Sequence, residues 1–557
     1  LAEGWNLASL GILITWYGLD TDARTPFDFG IALLILGISL GLRKALHKVN
    51  LGEKSSGRVS ATLGAVGLLI YFGLPFDALE GFTGKLNDGP ADFVLGGCIM
   101  VGAASWLVMH NAEVFLFILN RTLGRVAGLN AVFRTAVAYP VNSRFRTGLT
   151  ISMFALVIFT LVINATLSNL GNVSRDTPDR VTGGYDIQAT VSDSENIQDF
   201  GAQLSASGLL DDSDVEIVSR SGSFRSRLRQ VGAENTRFKG IRTIVVDDEY
   251  IESNRFQLSH FDPDYGSADT EVWQSLKDDA NLVLLSNSAI ATDDPFGPPP
   301  TGFRVEGVSA TDDAESWTPV PLEVIPSWDD ESSPLLMHAV GVIDPIAAVG
   351  GGNDWGQPLF IVMGASTAKK LIGETPQWNT YYVRAADNAD IPDMVAKLET
   401  IFLRDGMDAT DLMEDIEMSL EQEAAFNQLF QGFMGLGLFV GVCAIGVLAI
   451  RAVVERRQSI GVLRAIGYRP GMIQLQFLLE SLFVTLLGVV IGLGLGTLTS
   501  WNIFKAITRE VEGLTFAVPW TAIVTITLLT SLFALISGYW PARQASKIRP
   551  AEALRYE

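Results

Sequence analysis

Residues 455–481 read ERRQSIGVLRAIGYRPGMIQLQFLLES and lie between two long apolar runs near the end of the chain. Ile460, Leu463 and Ile466 fall three apart and read as one apolar helical stripe, with Arg457 and Arg464 on a neighbouring line. Glu455, Arg456 and Gly461 belong to the same helical stretch. Gly467 can take the left-handed conformation that closes a helix, and Pro470 suits the first turn of the next one. Glu480 stands where that second helix enters the following apolar run. Two helices meeting at such a knuckle offer docking chemistry, an apolar stripe edged by guanidinium groups, and no bond-making group. A basic loop alone would account for the Arg residues, but it would need neither the stripe, the Gly stop nor Glu480.

Other candidate constellations fail on spacing. GFTGKL at 81–86 lacks the interval of a phosphate-cradling G-x-x-x-x-G-K-[ST] loop, no H-E-x-x-H occurs, and no G-x-S-x-G nucleophile elbow is expected. DPDYGSADTE at 262–271 has the carboxylates of a calcium loop, yet Gly266 stands where an oxygen ligand is required, so it reads as an acidic surface turn. His47, His110, His260 and His338 are scattered without ligand spacing. Cys98 and Cys443 both fall in apolar runs and form no disulfide framework. His110 and Glu113 are ionisable groups on the inner part of the apolar run at 92–118, read either as functional or as interfacial. Asn172-Val173-Ser174 is a weak glycosylation signal. No catalytic residue, metal or directly bound cofactor is expected.

The elements that must position the knuckle follow from composition. The 557 residues carry a formal charge of −22 with a positive mean hydropathy, two properties rarely found in one globular body. Between Asn169 and Ala425 there are 46 acidic and 17 basic side chains, an excess of 29 negative charges, so the remainder carries +7. The chain is a basic-edged apolar part with an acidic soluble part inserted in it. The acidity reads as adaptation to a saline exterior, in a halophile, with a cation-binding surface as the rival.

Runs of about 20 apolar residues can cross a bilayer. Eight occur, near 4–19, 28–43, 59–75, 92–118, 148–168, 427–451, 474–500 and 518–540, the first of them short, as a trimmed span would be. Alternate loops are basic: Arg43, Lys44, Lys48, Lys54 and Arg58; then Arg121, Arg125, Arg134, Arg144 and Arg146; then Arg451 to Arg469; then Arg543 to Arg555. Basic loops mark the cytoplasm, which puts the acidic segment outside and the C-terminus inside a multi-pass cell-membrane protein. Small residues at four-residue spacing, Gly437 and Gly441 in one run and Gly488, Gly492 and Gly496 in the next, suit close helix packing.

The acidic segment reads as α/β. GYDIQATV, TIVVDDEYI, NLVLLSN, HAVGVID and PLFIVMG have strand character, and DDPFGPPPTG demands a loop. IPDMVAKLETIFLRDG reads as a helix stopped by Gly406. DLMEDIEMSLEQEAAFNQLFQGF reads as a stalk helix running straight into the sixth span. The expected order is a four-span region over 1–120, an elbow helix and span over 121–170, the acidic domain over 171–410, the stalk over 411–426, three spans over 427–542 and a tail over 543–557.

The knuckle closely resembles the signature loop of the FtsX/MacB-type ABC transporter permeases, approximately R-R-x-E-I-G-x-L-R-A-I-G followed by a Glu entering the next span. PARQASKIRPAEALRYE at 541–557 resembles that family's closing words, and RTAVAYPVNSRFRTGLTI at 134–151 its elbow. Ser459 stands where the family usually has Glu, so an acid facing the ATPase is either missing or supplied by Glu455. The resemblance implies an α-helical membrane protein of about eight transmembrane helices with one large α/β extracytoplasmic domain of the two-lobed MacB periplasmic-core type. It implies a subunit that is no enzyme by itself and whose knuckle is the coupling helix for a separate ABC-type ATPase dimer in the cytoplasm, which holds the ATP and Mg. It further implies mechanical transmission to the outer domain. Four extra spans before the unit fit a linker in a fused pseudo-dimer, and the start at Leu1, without Met, fits a second permease unit preceding it. Expected partners are the bilayer, the ATPase, that second unit and an extracellular protein, but no nucleic acid. Two functions remain open from the residues: export or extraction of a lipid, lipoprotein, peptide or hydrophobic compound, and regulation of an extracellular enzyme without transport. A receptor merely anchored in the membrane would not need the knuckle.

Overall fold

A computed structural model describes the chain except residues 1, 49–51, 112–131, 141–143, 171–176, 291–302, 309–316, 348–358, 509–515, 551–557 and some shorter stretches. The expectations on Glu113, Arg121, Arg125, Arg134, Asn172, the DDPFGPPPTG loop and the closing seven residues fall outside the described residues. The chain divides into two units, one of residues 1–169, 426–504 and 516–557, the other of 170–425 and 505–515.

The first unit is helical. Helices form over the described residues of each segment read as a span, the run at 92–118 only as far as His110: α1 (Ala2–Asp20), α2 (Arg24–Lys48), α3 (Glu53–Gly73), α4 (Pro90–His110), α5 (Arg144–Leu170), α6 (Leu412–Glu455), α8 (Pro470–Ile507) and α9 (Trp520–Ser546), with α7 (Arg457–Ala465) between α6 and α8. Among the described residues, five stretches are long and apolar enough to cross a membrane: Arg24–His47, Arg144–Thr166, Leu412–Glu455, Pro470–Ile507 and Ile523–Ser546; Val94–His110 is a shorter apolar helix. Helix α6 is one element of 44 residues that starts within the second unit's residues and ends within the first's.

The first segment is a helix of 19 residues, packed on α2 through its glycines. Gly4, Gly11 and Gly18 recur at seven-residue intervals and so lie near one face of α1, while Gly30 and Gly37 do the same on α2. A Cβ at Gly11 would lie 2.6 Å from the Leu34 nitrogen, and one at Gly37 2.5 Å from the Ala8 nitrogen. The two backbones therefore touch, which is how helices associate where no hydrophobic drive separates lipid from protein. Asp22, at φ +50°, makes the tight turn between them.

The same device joins α8 to α5. Cβ atoms at Gly488, Gly492 and Gly496 would lie 2.7 Å from Phe154 Cβ, 2.6 Å from Ala155 O and 2.9 Å from Val162 Cβ. A Cβ at Gly441 would lie 2.8 Å from Met153 Cε, whereas one at Gly437 would meet only Val157 Cγ2, at 3.8 Å. Gly437 has ordinary room, so the four-residue spacing overstated its role in packing. Asn502 on α8 donates to the carbonyls of Gly73 (3.1 Å) and Leu74 (3.3 Å), satisfying groups that the end of α3 leaves unpaired.

The second unit holds a ten-stranded mixed sheet in the order β10-β1-β9-β2-β3-β8-β5-β7-β4, with β6 pairing β2 and β7. The strands are β1 (Ile187–Val191), β2 (Val215–Gln230), β3 (Lys239–Val246), β4 (Leu258–Phe261), β5 (Leu282–Leu285), β6 (Val320–Pro326), β7 (Leu335–Ile343), β8 (Phe360–Gly364), β9 (Thr380–Ala385) and β10 (Met407–Asp411). Helix Phe200–Ser207 follows β1 and helix Ile391–Ile401 follows β9; with the antiparallel order β10-β1-β9-β2 this is a split β-α-β arrangement. Everything from β3 to β8 is inserted between its second and third strands. The 16-residue β2 pairs with β9 through its first half and with β3 and β6 through its second, so one strand serves both lobes. TIVVDDEYI is strand only as far as Val246. Asp247 then accepts a hydrogen bond from the Tyr250 N–H at 2.9 Å and caps helix Asp248–Ser253.

Candidate functional site

The knuckle is built from the end of α6, all of α7 and the start of α8. At Arg456 the chain leaves α6 and begins α7, with its N–H still donating to Ala452 O at 3.0 Å. Nine residues later α7 ends in a Schellman closure. Tyr468 N–H donates to Leu463 O (3.0 Å), Gly467 N–H donates to Arg464 O (3.2 Å), and Gly467 takes φ +112°. The apolar contact that accompanies this closure is present, as Leu463 and Tyr468 pack into one cluster. Pro470 then opens α8, where its missing N–H costs nothing.

Helix α7 has two faces. Ile460 is 3% exposed and packs with Ala452, Val453, Ile473, Phe477 and Ala542, and half-buried Leu463 joins this cluster. Ile466 is 74% exposed and Val462 45%. The stripe expected of Ile460, Leu463 and Ile466 therefore does not exist as one surface. Each step of three residues turns about 60° short of a full turn at 3.6 residues per turn, so Ile466 stands about 120° from Ile460. Ile460 and Leu463 hold α7 to the helices above it, while Val462 and Ile466 face outward.

The charged residues also separate. Arg456 and Glu480 form a bidentate pair at 2.9 and 2.6 Å, with side chains 11% and 15% exposed. The Arg456 guanidinium lies 5.4 Å from the centre of the Phe477 ring. The pair clamps the end of α6 to α8, ten residues inside α8. Glu455 points elsewhere: it accepts from Arg451 Nε at 2.6 Å and from Arg146 Nη1 on α5 at 3.4 Å. Gly461 is buried, Arg457 and Arg464 are half-buried, and Arg464 Nη1 donates to Tyr468 O at 3.4 Å. Arg469, Gln458 and Ser459 are exposed. No acidic residue occurs between Arg456 and Glu480, so the outward surface is apolar and basic.

Other candidates do not assemble. Gly37-Ile38-Ser39-Leu40-Gly41 spells G-x-S-x-G, but it lies within α2 and makes no strand-to-helix elbow, and Ser39 Oγ donates to Ser60 O at 2.7 Å in a buried contact. Asp262 accepts from Asp264 N–H (2.9 Å) and Glu271 from Ser267 N–H (2.6 Å), so the calcium-like stretch is a turn bonded to itself. Among the described residues no group of His, Cys, Asp and Glu is placed to hold a metal ion. In the second unit Tyr185 packs with Tyr250 and Tyr382, and burial pushes its hydroxyl up to about 12, so it stays neutral and serves packing.

Residues 432–550 match the FtsX-like permease C-terminal family. An uncharacterized ABC transporter permease of Methanocaldococcus jannaschii is 27% identical over 203 residues, 35% of this chain and 51% of that protein. The uncharacterized ABC transporter permease YknZ of Bacillus subtilis is 32% identical over 146 residues, 26% of this chain and 36% of that protein. The macrolide export ATP-binding/permease protein MacB of Bdellovibrio bacteriovorus is 30% identical over 185 residues, 31% of this chain and 28% of that protein. The periplasmic region of MacB from Actinobacillus actinomycetemcomitans aligns with 45% of this chain and 98% of its own, at 12% identity and a TM-score of 0.26. The chain thus spans about half the length of the first of these curated relatives and less of the others. The three-helix segment 432–550, which contains the knuckle, is thus similar to the FtsX-like permease C-terminal family, and the curated relatives that the chain resembles are permeases of ABC transporters.

Proposed function

We propose that this chain is a permease subunit that hydrolyses no ATP itself and is driven by a separate ABC-type ATPase docked on α7. ATP and Mg belong to that partner. The observation that carries the reading is the division of α7: one face locked into the helical unit by Ile460 and Leu463, the other presenting Val462 and Ile466 with Arg469 beside them. A helix fastened on one side and apolar on the other transmits a push. Its motion passes to α6 through the Arg456–Glu480 pair and along α6 toward the acidic domain. The client is a lipid, lipoprotein, peptide or hydrophobic compound, exported or extracted; the word export in one relative's name favours this over regulation of an outside enzyme.

Purified to a single polypeptide, the chain is expected to show no ATP hydrolysis, and hydrolysis is expected to return when its co-purifying ATPase is restored. Hydrolysis that survives removal of every other polypeptide overturns the reading.

In this proposal all eight helices cross the bilayer, with the basic loops and α7 inside and the acidic domain outside. In a background of Cys98→Ala and Cys443→Ala, Ser55→Cys and Arg469→Cys are expected to react with an impermeant thiol reagent from the cytoplasm alone. Ser366→Cys, exposed in the acidic domain, is expected to react only from outside. Labelling of Arg469→Cys and Ser366→Cys from one side is incompatible with this topology.

A further inference from the structure

Four helices of the first unit bring basic side chains to one cavity. Arg43 from α2, Arg58 from α3, His110 from α4 and Arg144 from α5 line a space of about 350 Å³. Among the described residues that line it, three guanidinium groups stand against one carboxylate, Glu53. These groups are not loose loop residues. Arg58 Nε donates to Asn111 Oδ1 at 3.3 Å, and Asn111 Nδ2 donates to Thr62 Oγ1 at 2.8 Å. His110 Nδ1 lies 3.1 Å from Trp106 O, and the Trp106 ring meets the imidazole edge-on at 5.9 Å.

The position of the cavity indicates its occupant. Arg43 lies four residues before the end of the apolar stretch Arg24–His47, and Arg58 five residues after the start of α3. That is the depth of lipid headgroups, where anionic lipid meets basic pockets between membrane helices. Trp106, of a residue type favoured at that interface, lines the cavity, as does Leu40, which stays 39% exposed. A guanidinium group matches a phosphate with paired hydrogen bonds and is shed of water more readily than an ammonium. We propose that this cavity binds the phosphate of an anionic membrane lipid, held by Arg43, Arg58 and Arg144, with an acyl chain leaving past Leu40. The site is independent of the ATPase reading, since none of its residues belongs to α6, α7 or α8.

The test uses the full chain in uncharged detergent, with phosphatidylglycerol and phosphatidylcholine as probes and native mass spectrometry of bound lipid as readout. The chain is expected to retain phosphatidylglycerol in preference to phosphatidylcholine. Arg43→Gln/Arg144→Gln, both exposed side chains, should weaken that retention at least about tenfold with an unchanged unfolding temperature, a difference of about 1.4 kcal/mol. Lys44→Gln/Lys547→Gln removes the same charge outside the cavity and should change nothing. Equal retention by the cavity variant, or equal loss in the control variant, overturns the site. Displacement by inorganic phosphate as effective as that by phosphatidylglycerol overturns the lipid as its source.

Discussion

Arg456→Met is expected to be among the most damaging single changes in the helical unit, because it strands Glu480 beneath Phe477 with no counter-charge. Both side chains are nearly buried and meet through two parallel hydrogen bonds of 2.9 and 2.6 Å. A pair of that kind adds little net stability over a well-packed apolar pair, since desolvation offsets the attraction. Removing one partner is different: about 3–5 kcal/mol is lost when a buried charge is left alone. Glu480→Gln should cost less than Arg456→Met, since the isosteric, neutral amide still accepts one hydrogen bond. The double change Arg456→Met/Glu480→Met should recover most of the loss. Thermal unfolding of the full chain in nanodiscs, read for the parent, both singles and the double, gives the coupling directly. Coupling below about 1 kcal/mol would place the pair with solvated surface pairs, and the clamp between α6 and α8 would then have no energetic basis. Raised salt should leave the coupling nearly unchanged, because buried pairs are poorly screened.

That clamp was partly legible in the sequence. Arg456 and Glu480 could each be singled out by place, one at the end of an apolar run and one at the start of the next. Their pairing could not, because 24 residues and a helix reversal separate them. The knuckle itself was legible for a local reason: Gly467 and Pro470 fix backbone geometry without help from tertiary contacts. Its faces were misjudged because a three-residue spacing drifts around a helix, and only the packed position of Ile473 and Phe477 shows which side is inward. In the acidic domain β1, β5, β7 and β8 announce themselves as short apolar runs. β2 does not, since VEIVSRSGSFRSRLRQ is rich in Arg and Ser, and of its buried positions, Ser219, Ser221, Gly222, Ser226 and Leu228, only the last is a large apolar residue. A strict search for period-two alternation could have found it. The glycine repeat of α1 and α2 is equally visible at seven-residue intervals, a period that a four-residue pattern does not match.

Ile466→Asp is expected to abolish ATPase docking while leaving the chain folded, and Leu463→Asp is expected to do the reverse of a clean test. Ile466 is 74% exposed, so its side chain contributes almost nothing to the fold and is available for burial against a partner. Fully burying such a side chain is worth roughly 1.5–3 kcal/mol, and loss of about 1.4 kcal/mol is tenfold in affinity. An introduced carboxylate adds a desolvation cost on top, so binding should fall by well over tenfold. Ile466→Ala, which keeps one methyl, should give a smaller loss on the same scale, and Val462→Asp should follow Ile466→Asp. Arg469→Glu should slow association at low salt and recover as salt rises, the mark of a steering charge. Leu463→Asp instead puts a charge among Ile460, Ile473 and Phe477, so its unfolding temperature should drop before any docking defect can be read. The measurements are titration of the co-purifying ATPase onto nanodisc-embedded chain and thermal unfolding of each variant alone. Parent-like ATPase affinity in Ile466→Asp/Val462→Asp, with normal unfolding, would leave α7 as a packed turn below the bundle and remove it from the coupling path.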